Sequence, residues 1–104
     1  MPDPIIGPLK GVRVIEMGSL IAGPYAGALL AQFGAEVIKI EPPGIGDPLR
    51  KWRKMDGDTS LWWYSQSRNK KSLTINLKDA DSQAVLCDLV KDADVLVENF
   101  RPGT

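Results

Sequence analysis

The sequence predicts an α/β domain built around a parallel sheet. A β-branched run from Val12 to Ile15 is followed by a turn, a helical pattern and a second β-branched run from Val37 to Ile40. Later in the chain, another helical pattern is again followed by a strand-like segment. Because strand–helix–strand units form right-handed parallel crossovers almost without exception, we expect a mostly parallel sheet with flanking helices.

The first crossover helix is expected from Tyr25 to Phe33, after a turn over Gly18–Gly23. Pro24 suits the first helical position because it lacks an N–H and its φ is already helical, and Gly34 should end the helix in a left-handed conformation. The helix starts directly after a buried strand, so its free N–H groups should face the crevice where α/β proteins hold phosphorylated and nucleotide-like ligands. The predicted apolar stripe consists of Ala26, Leu29, Leu30 and Phe33.

The second half of the chain predicts a long loop, a short helix and two further strands. Proline, glycine and charged residues without a sustained period indicate a surface excursion from Pro42 to Asp58. A short helix is expected from Leu61 to Ser67. The strands are expected from Ser72 to Leu77 and from Asp94 to Glu98.

The helix between these two strands should begin after Asp79, a favourable N-cap residue, with Asp81 in its first turn. Cys87 falls at the edge of the apolar face and is expected to be buried and inert. That face is predicted to consist of Val85, Leu86, Leu89 and Val90.

Composition excludes several classes of function. The 13 basic and 13 acidic residues cancel, so no overall field draws the chain to nucleic acid or to a membrane surface. The longest apolar stretch, Leu20 to Ala31, is broken by glycine and proline and is too short to span a bilayer. No leader pattern is seen, so we expect a cytoplasmic protein. The lack of histidine and the single cysteine exclude a disulfide within the chain, a cysteine-rich metal site and the usual hydrolytic triad.

Three features suit ligand binding, and each also has a purely structural explanation. The turn at Gly18–Gly23 could cradle a ligand with its backbone, but it lacks the G-x-G-x-x-G and P-loop patterns. Basic residues beside tryptophans, in 50–54 and 62–71, suit a phosphorylated nucleotide, single-stranded nucleic acid or a solvated face. Glu98–Arg101 follows the last strand and could contact a ligand or simply end that strand. Glu16, Glu41 and Asp47 show no spacing that identifies an acid or base, so no catalytic residue is assigned.

Three stretches of the chain, in order, resemble the N-terminal part of the class III CoA-transferases. They are PLKGVRVIEMGSLIAGPYAGALLAQFGAEVIKIEPPGIGDPLR (Pro8–Arg50), RNKKSLTINLKD (Arg68–Asp79) and DADVLVENFRPGT (Asp92–Thr104). The family includes formyl-CoA and carnitine CoA-transferases and the α-methylacyl-CoA racemases. The resemblance implies that residues 1–104 form the Rossmann-like, CoA-binding N-terminal portion of a larger fold. The end of the chain, just after a strand, leads to the same expectation.

The resemblance also implies the ligand and its contacts. Coenzyme A or an acyl-CoA would bind as a substrate, with no permanently bound cofactor and no metal. Some members carry an arginine directly after the IKIE motif, where this chain has Pro42 and Pro43, and Arg50 or Lys71 could substitute for it. The family's CoA-contacting positions fall on Ile21 and Ala22, on Ile75, Asn76, Leu77 and Lys78, and on Asn99, Phe100 and Arg101.

The implied activity is transfer of CoA from an acyl-CoA donor to a carboxylic acid acceptor. In this family an aspartate beyond the present region attacks the acyl-CoA, so none of these 104 residues is assigned that role. An α-methylacyl-CoA racemase and a non-catalytic CoA- or nucleotide-binding module are the alternatives. The resemblance implies a homodimer of the full-length protein, without a nucleic-acid or membrane partner. The isolated chain is expected to self-associate through an unpaired sheet edge and an uncovered apolar face.

Overall fold

The computed structural model describes residues 6–104 as alternating strands and helices around one main sheet. The strands of that sheet are β1 (Arg13–Glu16), β2 (Glu36–Glu41), β5 (Lys70–Thr74) and β6 (Val95–Val97). Two very short strands, β3 (Met55–Asp56) and β4 (Thr59–Ser60), form a separate hairpin. The helices are α1 (Ala22–Gln32), α2 (Leu61–Gln66) and α3 (Ala80–Lys91), with a 3₁₀ turn over Pro48–Lys51.

The main sheet is parallel throughout and has the order β5-β2-β1-β6. Counted along the chain, the strands of this sheet have the order 3-2-1-4, which matches the first four positions of the doubly wound order 3-2-1-4-5-6. In such folds, ligands bind outside the carboxyl ends of the strands where the winding reverses. That position lies between β1 and β6. The predicted α/β, Rossmann-like class with a parallel sheet and flanking helices is confirmed.

The two faces of the sheet are covered by different helices, which explains why adjacent residues of β1 are both buried. Val14 belongs to an apolar cluster with Ala31 of α1, whereas Ile15 belongs to a second cluster with Leu86 of α3. A parallel sheet packed on both faces needs apolar residues at successive positions. The clusters are completed by Ala35 and Val37 on the α1 side and by Ile40 and Ile75 on the α3 side.

Helix α1 differs from the prediction in its start and in its buried face. Its N-cap is Ile21, so Pro24 occupies the third helical position rather than the first. Leu29 and Phe33 of the predicted stripe are exposed. Gly34 has a φ of 104°, which confirms the expected left-handed end. The residues that α1 buries are instead the small ones, Gly23, Pro24, Gly27 and Ala31, because the helix lies very close to the sheet.

Helix α3 begins as predicted, but its buried face is narrower. Asp79 accepts a hydrogen bond from Ser82 N at 3.0 Å and caps the helix. Leu86 is buried, whereas Val85 and Cys87 are exposed, so the predicted burial of both was wrong. Each of these two residues is next to Leu86 in the chain. Because successive residues of an α-helix are about 100° apart around its axis, their side chains point away from the sheet.

The segments between these elements also refine the predicted boundaries. The region 42–58 is a surface excursion as expected, but it contains the 3₁₀ turn and strand β3, and it anchors itself through the buried Leu49. Strand β5 starts at Lys70 and ends at Thr74, so both of its ends come earlier than in the predicted strand Ser72–Leu77. Ile75–Leu77 therefore follow the carboxyl end of the strand. None of the helices within residues 6–104 combines the length and hydrophobicity that crossing a bilayer requires.

Candidate ligand site at the carboxyl edge of the sheet

A pocket of about 240 Å³ opens at the carboxyl edge of the main sheet. It lies where the first turn, defined as Gly18–Ile21 between β1 and α1, meets the segments that follow β2, β5 and β6. Most of its surface is apolar. That surface is contributed by Met17, Ile40, Ile75, Leu77 and Phe100, together with prolines from the loop after β2.

The structure brings five of the nine sequence-predicted site residues to this pocket. The strand-end segment Ile75–Lys78 and Phe100 line it directly. The segment is shaped by an Asx-type turn, in which Asn76 Oδ1 accepts a hydrogen bond from Lys78 N at 3.1 Å. β5 ends at Thr74, and Ile75 is still held to the end of β2 by its N–H, which donates to Glu41 O at 3.0 Å. The residues after it turn away from the sheet and form a wall of the pocket.

The other four predicted residues do not line the pocket wall. Ile21 and Ala22 are the N-cap and first residue of α1, and both are exposed. Arg101 is exposed at the turn that ends the chain, where its carbonyl accepts a hydrogen bond from Thr104 N. Asn99 is directed at the first turn.

Asn99 bridges the place where the winding of the sheet reverses. Its Oδ1 accepts a hydrogen bond from Ser19 N at 2.8 Å, and its Nδ2 donates to Ser19 O at 3.1 Å. Gly18 is required beside this contact, because a Cβ there would lie 2.3 Å from Asn99 Oδ1. The side chain therefore fixes the backbone of the first turn from the β6 side.

A buried group of charged side chains fixes the same turn from the other side. Lys39, in the middle of β2, is 2% exposed, and its Nζ lies 2.6 Å from Glu16 Oε2 and 2.6 Å from Asp47 Oδ2. Asp47 Oδ1 accepts hydrogen bonds from Leu20 N at 3.0 Å and Leu49 N at 2.9 Å. Charges this deeply buried are tolerated only when paired and hydrogen-bonded.

Lys70 extends the buried group beneath helix α1. Its Nζ lies 2.6 Å from Glu16 Oε1 and donates to Pro24 O at 2.7 Å. Burial lowers the pKa of the Lys70 ammonium, and its hydrogen bond to Glu16 offsets part of that effect. The Glu16 carboxylate therefore has an ammonium at each of its oxygens, Lys39 at one and Lys70 at the other.

Glu41, at the end of β2, connects this group to the loop that borders the pocket. Burial by itself would raise the pKa of its carboxyl, but hydrogen bonds from Arg50, from Ser72 and from Asp47 N outweigh burial and lower the pKa to about 2. Arg50 binds both carboxylate oxygens, at 2.8 and 2.7 Å, and stacks 4.1 Å above the ring of Trp63. Glu41 is thus an ionised structural anchor.

Arg50 and Lys71, the two sequence-suggested substitutes for a phosphate contact, do not line the pocket. The Arg50 guanidinium is committed to Glu41. Lys71 lies near the start of β5, 3.7 Å from Glu36 at the amino end of β2. Lys78, by contrast, does line the pocket.

Comparison with known proteins identifies the family. Residues 9–104 match the family model for CoA-transferase family III. The chain belongs to CoA-transferase family III.

Named relatives in this family act on different acyl donors and acceptors. The chain is 55% identical over 98 residues to a succinyl-CoA–D-citramalate CoA-transferase of Chloroflexus aurantiacus, covering 93% of this chain and 24% of that protein. It is 44% identical over 97 residues to an acetyl-CoA:oxalate CoA-transferase of Acetobacter aceti, covering 93% and 25%. The chain spans about a quarter of the length of these relatives.

A solved structure supports the fold assignment in the CoA-transferase III family. The crystal structure of a CaiB/BaiF family protein from Brucella suis superimposes with a TM-score of 0.83 and 34% sequence identity. The match covers 93% of this chain and 27% of that chain. The architecture described above therefore corresponds to about a quarter of that solved chain.

The acidic side chains at this pocket are all paired with basic ones. Within residues 6–104, no group of three histidine, cysteine, aspartate or glutamate side chains is arranged to hold a metal ion. Of the carboxylates at the pocket, Glu41 is held by Arg50, and Asp47 is held by Lys39. Both are engaged in ion pairs, which leaves them poorly suited to act as nucleophiles.

The buried charged group behind this site was not predicted from the sequence. Taken separately, Glu16 and Asp47 have no evident partner, because their common partner, Lys39, is 23 residues from Glu16 along the chain. One signal was present. Lys39 interrupts the apolar run Val37–Ile40 in the interior of β2, and a lysine buried at such a position requires carboxylate partners.

Proposed function

We propose that this chain forms the CoA-binding portion of a CoA-transferase that moves CoA from an acyl-CoA donor to a carboxylic acid. The observation that carries the proposal is the convergence of Ile75–Lys78 and Phe100 on one pocket at the carboxyl edge of the sheet. These residues are distant in sequence, and each was assigned to CoA from its own motif. Membership of CoA-transferase family III and the names of the relatives support the same activity.

The pocket has the chemical character that the two halves of CoA require. Its apolar lining, with Met17 and Phe100, suits the uncharged pantetheine arm. Lys78 and Arg101 follow β5 and β6, close to the carboxyl edge of the sheet. Their positive charges suit the phosphates at the nucleotide end of CoA. Ile21 and Ala22, exposed at the start of α1, would contact the arm where it passes the helix N-terminus.

The carboxylate that attacks the acyl-CoA would come from outside these 104 residues. Glu41 and Asp47, the carboxylates at the pocket, are held in ion pairs by Arg50 and Lys39. We therefore assign this chain substrate binding and positioning. The natural-length protein is proposed to be a cytoplasmic homodimer that uses acyl-CoA and carboxylic acid substrates without a permanently bound cofactor.

The test is an exchange assay on the natural-length protein. Succinyl-CoA or acetyl-CoA is incubated with the protein and a panel of carboxylic acids in D₂O. The CoA esters are then separated by chromatography, and their masses are determined by mass spectrometry. A new acyl-CoA, formed only in the presence of an acceptor acid and without deuterium at its α-carbon, is the expected result. In a parallel incubation with a 2-methylacyl-CoA in D₂O, deuterium uptake at the α-carbon without CoA exchange would instead identify a racemase. CoA binding with neither reaction would identify a non-catalytic module.

A further inference from the structure

The first turn is held in an uncommon backbone conformation by contacts from elsewhere in the chain. Leu20 has a φ of 68°, in the left-handed region that residues other than glycine seldom adopt. Backbone in this conformation persists only where surrounding contacts hold it. Asn99 holds Ser19 from one side, and Asp47 holds Leu20 from the other through its hydrogen bond to the amide.

Lys39 holds Asp47 in place and also reaches the turn itself. Its ammonium has three hydrogens, and three oxygens surround it: Glu16 Oε2 at 2.6 Å, Asp47 Oδ2 at 2.6 Å and Gly18 O at 3.4 Å. The side chains of Lys39 and Asp47 are both 2% exposed. A buried ion pair of this kind has one low-energy arrangement, because any other leaves a charge unpaired.

The same pair also fixes the loop after β2, which forms part of the pocket wall. Asp47 and Pro48 line it, and the Asp47 side chain caps the 3₁₀ turn by accepting from Leu49 N. Asp47 N donates to Glu41 Oε1 at 2.9 Å, which fixes the loop to the end of β2. Lys39 therefore holds together the first turn and this loop, which are in contact through Leu20 N and Asp47 and both line the pocket.

We propose that the Lys39–Asp47 ion pair is a positioning device that holds the first turn and the loop after β2 in the arrangement that binds CoA. This inference rests on the proposed function. Lys39 does not line the pocket, and it acts on the ligand through the backbone at Gly18 and through Asp47. The pair is thus a determinant of CoA affinity.

The test uses Asp47→Asn in the natural-length protein. This change keeps an oxygen that can accept from Leu20 N but removes the charge paired with Lys39. The CoA dissociation constant is measured by calorimetry with free CoA, and exchange of the Leu20 amide is measured without ligand. We expect affinity to fall on the order of tenfold, as for the loss of a coupled pair, and the Leu20 amide to exchange faster.

The matched control is Glu36→Gln, which removes the Arg13–Glu36 ion pair from the other end of the same strand, β2. This change should alter the free energy of unfolding while leaving CoA affinity and the Leu20 amide unchanged. A general loss of stability is thereby separated from loss of positioning. If Asp47→Asn fails to fold, the double variant Lys39→Met/Asp47→Asn replaces it, since that variant leaves Glu16 paired with Lys70.

Each result bears on a specific claim. If the parent binds CoA and the Asp47→Asn or double variant binds it with the same affinity, the positioning role is overturned and the proposed function stays intact. An unchanged Leu20 amide would also overturn it, even if affinity fell. A parent protein that binds no CoA would overturn both the positioning role and the proposed function.

Discussion

The carboxylate of Glu16 occupies the space that a side chain at Gly27 would need. A Cβ at position 27 would lie 1.9 Å from Glu16 Oε1. Helix α1 therefore comes close enough to β1 to cover the buried carboxylate, and Lys70 reaches past the helix to pair with it. The small residues on the buried face of α1 are a consequence of this charged group beneath the helix.

Gly27→Ala should destabilise the protein although alanine is the better helix former. Helix propensity alone would favour the change by about 1 kcal/mol. The clash with Glu16 should outweigh this gain and lower the free energy of unfolding by about 2–3 kcal/mol. Urea denaturation measures the effect. The control is Ala28→Gly, at the next helical position, which should lower the free energy of unfolding only by the difference in helix propensity. A Gly27→Ala variant as stable as the parent would contradict the close packing of α1 against Glu16.

Asn99→Ala should loosen the first turn. The change removes both hydrogen bonds to Ser19, and we expect a loss of about 1–2 kcal/mol in the free energy of unfolding, since each bond contributes about 1 kcal/mol. Affinity for CoA should fall with it. Thermal unfolding and calorimetric titration on the same samples measure the two effects. An affinity that stays at the parent value would show that this contact is not needed for binding.

Acid should weaken the anchor at Glu41. The pKa of this carboxyl is lowered from 4.5 to about 2 in the folded protein, so the folded state binds its proton less readily than the unfolded state does. The stabilisation is therefore present above pH 4.5 and is lost as the pH falls towards 2. Urea unfolding at a series of pH values should show this loss. In Glu41→Gln, the free energy of unfolding should depend less on pH between pH 4.5 and 2. An unchanged pH dependence in that variant would refute the lowered pKa of Glu41.

A large side chain at position 22 should block CoA while leaving the fold intact. Ala22 is exposed at the start of α1, so Ala22→Phe has room in the ligand-free protein. We expect CoA affinity to fall at least tenfold, because the ring would occupy the ligand's path. Ala84→Phe, at an exposed position of α3, is the control and should bind CoA normally. Normal binding by the Ala22 variant would count against this part of the site.

The 104-residue chain in isolation should self-associate. Strands β5 and β6 are the edges of the main sheet, and an exposed apolar stripe recurs every four residues along α1. Sedimentation velocity should show oligomers at micromolar concentration, and Phe33→Glu should reduce them. A compact monomer across that range would contradict the expectation. The stripe consists of Ile21, Tyr25, Leu29 and Phe33.

The fold was largely predictable from the sequence because its elements have strong local signals. The β-branched runs around Val14 and Val37, the cap at Asp79 and the glycine at position 34 all fell where the structure has them. The face of α1 was not predictable in the same way. Hydrophobic periodicity favours Leu29 and Phe33, whereas the close approach to a buried charge favours small residues.

The site was predictable as a set of segments but not as a geometry. Motifs identified Ile75–Lys78 and Phe100, which line the pocket, yet gave no indication that Asn99 turns to the Ser19 backbone. The partnership of Lys39 with Glu16 and Asp47 depends on contacts between residues distant in sequence. Local patterns do not encode such contacts, and only the fold brings these charges together.

The central claim is that CoA binds at the carboxyl edge of the sheet, and hydrogen–deuterium exchange tests it most directly. The natural-length protein is compared with and without saturating CoA, and protection is mapped by peptide. The account predicts protection of 18–22, 75–78 and 99–101 together, with little change in α3. Protection confined to other segments, or none at all, would contradict it.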